Sequence, residues 1–247
     1  MMKKDLANLR YTSQEIEKKS KKIYHQILAE SKSLDTGNFT RIGTNDLRRL
    51  FELYDLYFFD NFFCKTCREK IHFRLSQRMT RSAGMTTYTK PTNMFEISLS
   101  TTLIFQTFHS VIREVTVNGI VCHDRLEATM HVLEHEIIHL IELVVFGSSS
   151  HSRPRFKRLS RNIFGHTDVT HQLVTQTEIA QKKFNLRVGD EVLFEFEGNP
   201  YCGIISRITK RATVMVENPH GAYVDARGTH YSKYLVPIRF LKQVKDG

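Results

Sequence analysis

The run from Asp124 to Gly147 constrains this chain more than any other, because it is the most apolar stretch of the sequence and yet holds ionisable side chains in its middle. Its density of Leu, Ile, Val and Met reads as a buried helix. Asp124 followed by Glu127 has capping-box spacing with Asp in the cap position, and Gly147 supplies the stop. Holding His135, Glu136 and His139 in such a helix without a use for them would cost on the order of several kcal/mol in desolvation. The fold must therefore give these residues partners or a task.

His135-Glu136-Ile137-Ile138-His139 is an H-E-x-x-H sequence. Histidines four apart lie on one helix face about one turn apart, so both imidazoles reach one ion, and the glutamate beside the first can contact a water held there. A catalytic zinc takes three protein ligands and keeps one position open. His151 is the expected third ligand, since Gly147 and the loop Ser148 to Ser150 let the chain turn back beside the first two. Glu142, one turn past His139, competes only if the helix face allows it, while His166 and His171 follow the next helix and are expected in structural or supporting roles. His131-Val132-Leu133-Glu134-His135 is also an H-x-x-E-H, the inverted zinc-peptidase pattern. That reading needs a carboxylate from far downstream, so the forward one is preferred, with His131 a neighbour on the same face.

The rest of the chain surrounds this helix with both kinds of secondary structure. Residues 14–30 predict a polar surface helix with the apolar stripe Ile16, Ile23, Ile27, and its basic run Lys18, Lys19, Lys21, Lys22 reads as a solvated face. Asn45 is placed as the cap of a buried helix through Leu47, Leu50, Tyr54 and Phe58. Alternation at Ile71, Phe73, Leu75 and again at Phe95, Ile97, Leu99 predicts two strands, and Val115 to Val121, with Asn118-Gly119 inside it, an extended or hairpin segment. Pro154 opens a helix carrying Phe156, Leu159 and Ile163, ended by Gly165. Beyond Phe184 the sequence changes to short β-rich runs between Gly, Pro and Asn turns, which reads as a small all-β barrel or roll. The expected class is α+β, with a basic helical segment at 1–40, a domain built on the apolar helix at 41–180 and a β-barrel domain at 181–247.

One ordered succession also carries a family. A Leu- and Tyr-rich helix ending in Tyr57-Phe58-Phe59 is followed by Ser82-Ala83-Gly84-Met85 before a strand, then Phe95 to Ser100, the H-E-x-x-H, and His151-Ser152-Arg153-Pro154-Arg155-Phe156. From Leu47 to Phe164 the chain resembles the SprT-like zinc metallopeptidases. The resemblance implies a zincin-like fold, Zn2+ as cofactor, His135, His139 and His151 as its ligands, Glu136 as the catalytic residue, and peptide-bond hydrolysis of a protein substrate. The family often has Gly directly after the third His, where Ser152 stands here. Many members carry a C-terminal four-Cys zinc ribbon, and this chain has an expected SH3-like barrel instead, so partners tied to the ribbon do not carry over. An extended substrate is expected to add as a strand to the sheet, with Phe95 to Ser100 taken as the receiving edge.

Charge adds a partner class. Lys and Arg number 36 against 26 Asp and Glu, a formal net charge of +10 that points to a polyanion. From Phe184 onward nine Lys and Arg face seven Asp and Glu, so nearly all of the excess lies upstream. Arg153, Arg155, Lys157, Arg158 and Arg161 crowd the segment after His151, with no acidic residue before Asp168. They read either as a solvated face or as phosphate contacts beside the active site, and the SprT-like members that act on DNA-bound or DNA-crosslinked proteins make DNA the expected polyanion. Two other functions fit the same residues: a non-catalytic nucleic-acid-associated adaptor with a structural zinc site, and a metal-dependent hydrolase of other bonds. The barrel is expected to position a substrate or partner. Four cysteines are too few and too unevenly spaced for a disulfide framework, and the C-x-x-C at Cys64 and Cys67 lacks two further zinc ligands nearby. The first residues lack a secretory h-region, and no stretch reaches the about 18 apolar residues of a membrane span, so the cytosol is the expected compartment.

Overall fold

The structure, a computed structural model, describes residues 3–109, 111 and 113–244. It divides into two compact units, one ending at Leu173 and the other beginning at Val174.

In the first unit a short α1 (Lys3–Leu6) precedes α2 (Ser13–Glu30). Thr12 caps α2: its hydroxyl accepts the Glu15 N–H, and the Glu15 carboxylate accepts the Thr12 N–H at 2.8 Å. Such a cap contributes about 1 kcal/mol. Ile23 and Ile27 are buried. Lys19 departs from the solvated face expected of its run, because its ammonium lies 4.5 Å over the Tyr11 ring and donates to the Tyr57 carbonyl. Next comes α3 (Thr44–Phe59), which starts at Gly43 and not at Asn45, because the Asp46 carboxylate reaches back to accept the Gly43 N–H at 2.7 Å. Then α4 (Phe62–Cys67) leads into a three-stranded sheet.

The sheet comprises β1 (Ile71–Ser76), β2 (Gly84–Thr89) and β3 (Met94–Ser100) in the order β1-β3-β2, with β1 parallel and β2 antiparallel to β3. The expectation that Phe95 to Ser100 offers the receiving edge is therefore corrected. That strand is central, and β1 and β2 are the edges. Burial of Ser98 and Ser100 together with Phe95, Ile97 and Leu99 shows β3 covered on both faces, which the apolar alternation alone does not reveal.

After α5 (Thr101–Gln106) comes a hairpin of β4 (Val115–Val117) and β5 (Ile120–Cys122), then α6 (Arg125–Phe146) and α7 (Pro154–Phe164). Asp124 caps α6 by accepting the Glu127 N–H at 2.8 Å. Glu127 turns to the His123 N–H and ring instead of closing a full capping box on Asp124. Helix α6 packs on β2 and on α7. Leu126, Leu133, Ile137 and Ile141 join Leu53, Tyr54, Phe58 and Ile97 in one core, which also takes in Ile23 and Ile27.

The second unit begins with α8 (Gln176–Phe184) and continues with β6 (Glu191–Phe196), β7 (Asn199–Ile208), β8 (Ala212–Glu217), β9 (Tyr223–Val224), β10 (His230–Val236) and β11 (Lys242–Gln243). These pair antiparallel in the order β11-β6-β7-β8-β10-β9. A register shift between Ile205 and Arg207 bends β7. Val192, Phe194, Ile205, Val214 and Val236 form its own core with Ala180 of α8. Among the described residues β9 and β11 are not paired with each other, so the sheet is open in its hydrogen bonding. The molecule is thus a mixed α+β protein. No helix among the described residues is long and apolar enough to cross a membrane.

Candidate metal centre

Helix α6 is apolar almost all round, so its ionisable groups enter the interior with it. His135 and Glu136 are 5% and 2% exposed. The His135 and His139 rings share one face, with their Nε2 atoms 3.2 Å apart. At the end of the helix Gly147 takes up φ 70, a left-handed conformation that glycine adopts at little cost, and the chain reverses. His151 then comes back to the pair: one nitrogen from each of His135, His139 and His151 falls within 4.8 Å of the others. Phe156 of α7 packs against the first two rings at centroid distances of 4.9 and 4.6 Å.

Hydrogen bonds fix which nitrogen of each ring carries the proton. The Asn118 amide nitrogen donates to the His131 carbonyl at 2.7 Å, which orients its oxygen toward His135 Nδ1 at 3.0 Å. An amide oxygen only accepts, so His135 Nδ1 is the protonated nitrogen. Ser149 donates its hydroxyl proton to the Glu142 carboxylate at 2.6 Å, and its oxygen accepts from His139 Nδ1 at 2.7 Å. Both rings therefore present bare Nε2 lone pairs to the same point. Burial, reinforced by the neighbouring imidazoles, holds the pKa of His135 down at about 2; burial, and then His151, holds that of His139 at about 4. Two imidazoles with free Nε2 lone pairs, steadied at Nδ1 and joined by His151, make a donor set that could hold a zinc ion.

Glu136 faces the edge strand β2. Its Oε2 accepts the Thr86 hydroxyl at 2.7 Å. Gly84 leaves room for its carboxylate, since a Cβ there would stand 2.4 Å from Oε1. Burial raises its pKa to about 8 against the opposing Thr86 hydrogen bond. A cleft of about 560 Å³ opens over these groups, bounded by Met85, Tyr88 and Lys90 on the strand side and by Leu143 and the Ser149 to His151 loop on the other.

The other ionisable residues of the same helix have partners of their own, and His131, Glu134 and His166 form a second group that could hold a metal. Glu142 is fully buried and does not join the three histidines; its oxygens accept from Ser149 Oγ, from the Ser150 N–H at 3.1 Å and from Arg155 Nε at 2.6 Å. His131 and His135, which the inverted pattern pairs, go to different clusters. His131 Nδ1 lies 2.7 Å and His166 Nε2 2.8 Å from one oxygen of buried Glu134, and Tyr54 donates to the other at 2.7 Å. Ser160 engages the remaining nitrogen of His166 at 2.6 Å. His166 is thus in an internal network, and His171 sits beside the His135 ring with its Nε2 3.1 Å from Asn118 Oδ1.

Of the basic residues singled out on α7, Arg153, Lys157, Arg158 and Arg161 are exposed. Arg155 is not: beyond Glu142 it donates to the Ser148 carbonyl at 2.9 Å and lies 4.0 Å over the Phe146 ring. Cys64 and Cys67 are free thiols and enter no metal-competent group among the described residues. Sequence reasoning assigned no task to Thr86, Asn118 or Ser149, and gave Gly84 none beyond its place in the succession. The Asn118-Gly119 pair did signal a turn, but nothing local announces that its side chain reaches α6.

The SprT-like family model matches residues 47–178, a span that begins in α3, includes the whole of the histidine cluster and ends in α8. No curated protein matches the chain.

Proposed function

Because this chain belongs to the SprT-like family, whose members are generally zinc metallopeptidases, we propose that it is a zinc-dependent endopeptidase with His135, His139 and His151 as the metal ligands and Glu136 as the catalytic residue. The observation that carries the proposal is the separate housing of Glu136: a glycine and a threonine of β2 make room for a carboxylate that zinc retention alone would not need. That same housing disfavours the adaptor reading, in which the metal would be purely structural.

A zinc ion held by His135, His139 and His151 would supply Lewis acidity toward a peptide carbonyl and its attacking water. Glu136 accepts the proton of the attacking water at a carboxylate oxygen and hands it to the departing amine, so the carboxylate is regenerated with each peptide bond cleaved. Thr86 holds the carboxylate in place throughout, and its burial raises its proton affinity. Asn118 and Ser149 keep the two helix histidines in the tautomer that leaves Nε2 free. The edge strand β2 flanks the cleft and supports binding of an extended peptide as an added strand.

The finer reading is a protease of DNA-bound or DNA-crosslinked proteins in the cytosol. Its support is the upstream charge excess and the exposed Arg153, Lys157, Arg158 and Arg161 on the helix that follows His151. The second unit, read as an SH3-like barrel domain, would then position substrate or partner. Zinc analysis and cleavage of a DNA-binding protein, with and without DNA, test the proposal. Glu136→Gln should keep zinc and lose cleavage, and His139→Ala should lose both. An active Glu136→Gln protein would refute the assignment.

A further inference from the structure

The strongest unassigned arrangement around the cluster is a chain of hydrogen bonds that starts on α7. Arg155 Nε donates to Glu142 Oε1 at 2.6 Å, Ser149 Oγ donates to Glu142 Oε2 at 2.6 Å, and His139 Nδ1 meets Ser149 Oγ at 2.7 Å. Resting on the metallopeptidase reading above, we propose that Arg155, Glu142 and Ser149 form a positioning relay that sets the tautomer and basicity of His139 as a zinc ligand.

Each link constrains the next. Glu142 is completely buried, and its two oxygens are met by Arg155 Nε, by Ser149 Oγ and by the Ser150 N–H. Because that carboxylate only accepts, the single Ser149 proton must point to it. The serine oxygen is then left as an acceptor with negative charge behind it, which favours the proton on His139 Nδ1 and a more electron-rich Nε2. The relay also binds both ends of the reversal that brings in His151, since Glu142 holds Ser149 and Ser150 while Arg155 holds the Ser148 carbonyl. Arg155 is thereby withdrawn from the basic row to which its sequence position assigns it. At His135 the corresponding acceptor is a neutral amide, so the two helix ligands are supported unequally.

The relay makes a prediction that simple packing does not. Zinc affinity of the full chain, read by competition with a chromophoric chelator, should fall about 10- to 100-fold in Ser149→Ala and stay within about threefold of the parent in Ser149→Thr, which keeps the hydroxyl. Glu142→Gln, which removes the charge behind the serine, should weaken zinc by a similar factor. Arg155→Ala strands a buried carboxylate and can fail to fold, so the Ser149 pair carries the test, with the unfolding temperature of the metal-free protein measured alongside. A purely structural serine would lower that temperature and leave the affinity of the folded protein unchanged. Equal zinc affinity in Ser149→Ala, Ser149→Thr and the parent overturns the relay while leaving the metal centre standing. A parent protein that binds no zinc overturns both.

Discussion

Gly84 shows how one missing side chain makes room for the proposed catalytic carboxylate. A Cβ at this position would lie 2.4 Å from Glu136 Oε1 and 2.7 Å from its Cγ, closer than any real contact. The demand here is for space, since the residue sits in an ordinary strand paired with Leu99. Gly84→Ala forces the carboxylate away from the histidines, and a displacement near 1 Å in such a group costs about 100-fold in rate. The expected result is a folded protein with normal zinc content and kcat lowered by about that factor. Unchanged kcat would mean that Glu136 does not act from this position. At this scale His135, Glu136 and His139 were legible because their spacing puts the two histidines on one helix face with the glutamate beside the first. The task of Glu142 was not legible, because spacing places it one turn past His139 but does not say that a serine and an arginine further along the chain would claim its oxygens. Buried groups are satisfied by whatever tertiary neighbours arrive, and these leave no periodic trace.

Helix α7 divides its residues sharply by face. Phe156, Leu159 and Ile163 are buried, and Arg153, Lys157, Arg158 and Arg161 point to solvent. Such a row on the element that follows His151 would offer phosphate contacts under the proposed DNA-dependent proteolysis. Each lost contact lowers the slope of log affinity against log salt by about 0.9 for duplex DNA. Replacing Lys157, Arg158 and Arg161 by Ala together should therefore weaken binding and flatten that slope by about 2 to 3 in a fluorescence titration over a salt series. Binding that ignores salt, or that survives the triple substitution intact, removes DNA from the proposed function. Elements with strong periodicity or clear caps, such as α6 and α7, could be placed from the sequence. Strand order could not, because alternation at Phe95, Ile97 and Leu99 reports one covered face and says nothing of the neighbour on each side. The hairpin turn was likewise visible in Asn118-Gly119, both of which adopt positive φ (55 and 78), while its delivery of an amide to His135 depends on where the hairpin lands against α6.

Across the whole chain, two separate cores govern stability. One runs from Leu6 to Leu173 and surrounds α6; the other is confined to residues from Ala180 to Leu241. The three candidate zinc ligands all belong to the first unit. Binding a ligand to the folded form alone stabilises it by RT ln(1 + [L]/Kd), about 2.7 kcal/mol at a hundredfold excess over Kd, and that gain reaches only the structure that unfolds with the site. Calorimetry of the full chain should therefore show two transitions, of which zinc raises one and leaves the other in place. His139→Ala should abolish the zinc-dependent rise without moving the second transition, because Val192, Phe194, Ile205 and Val214 pack independently of α6. A single transition shifted as a whole by zinc would show that the second unit unfolds together with the candidate metal centre and is not an independent folding unit.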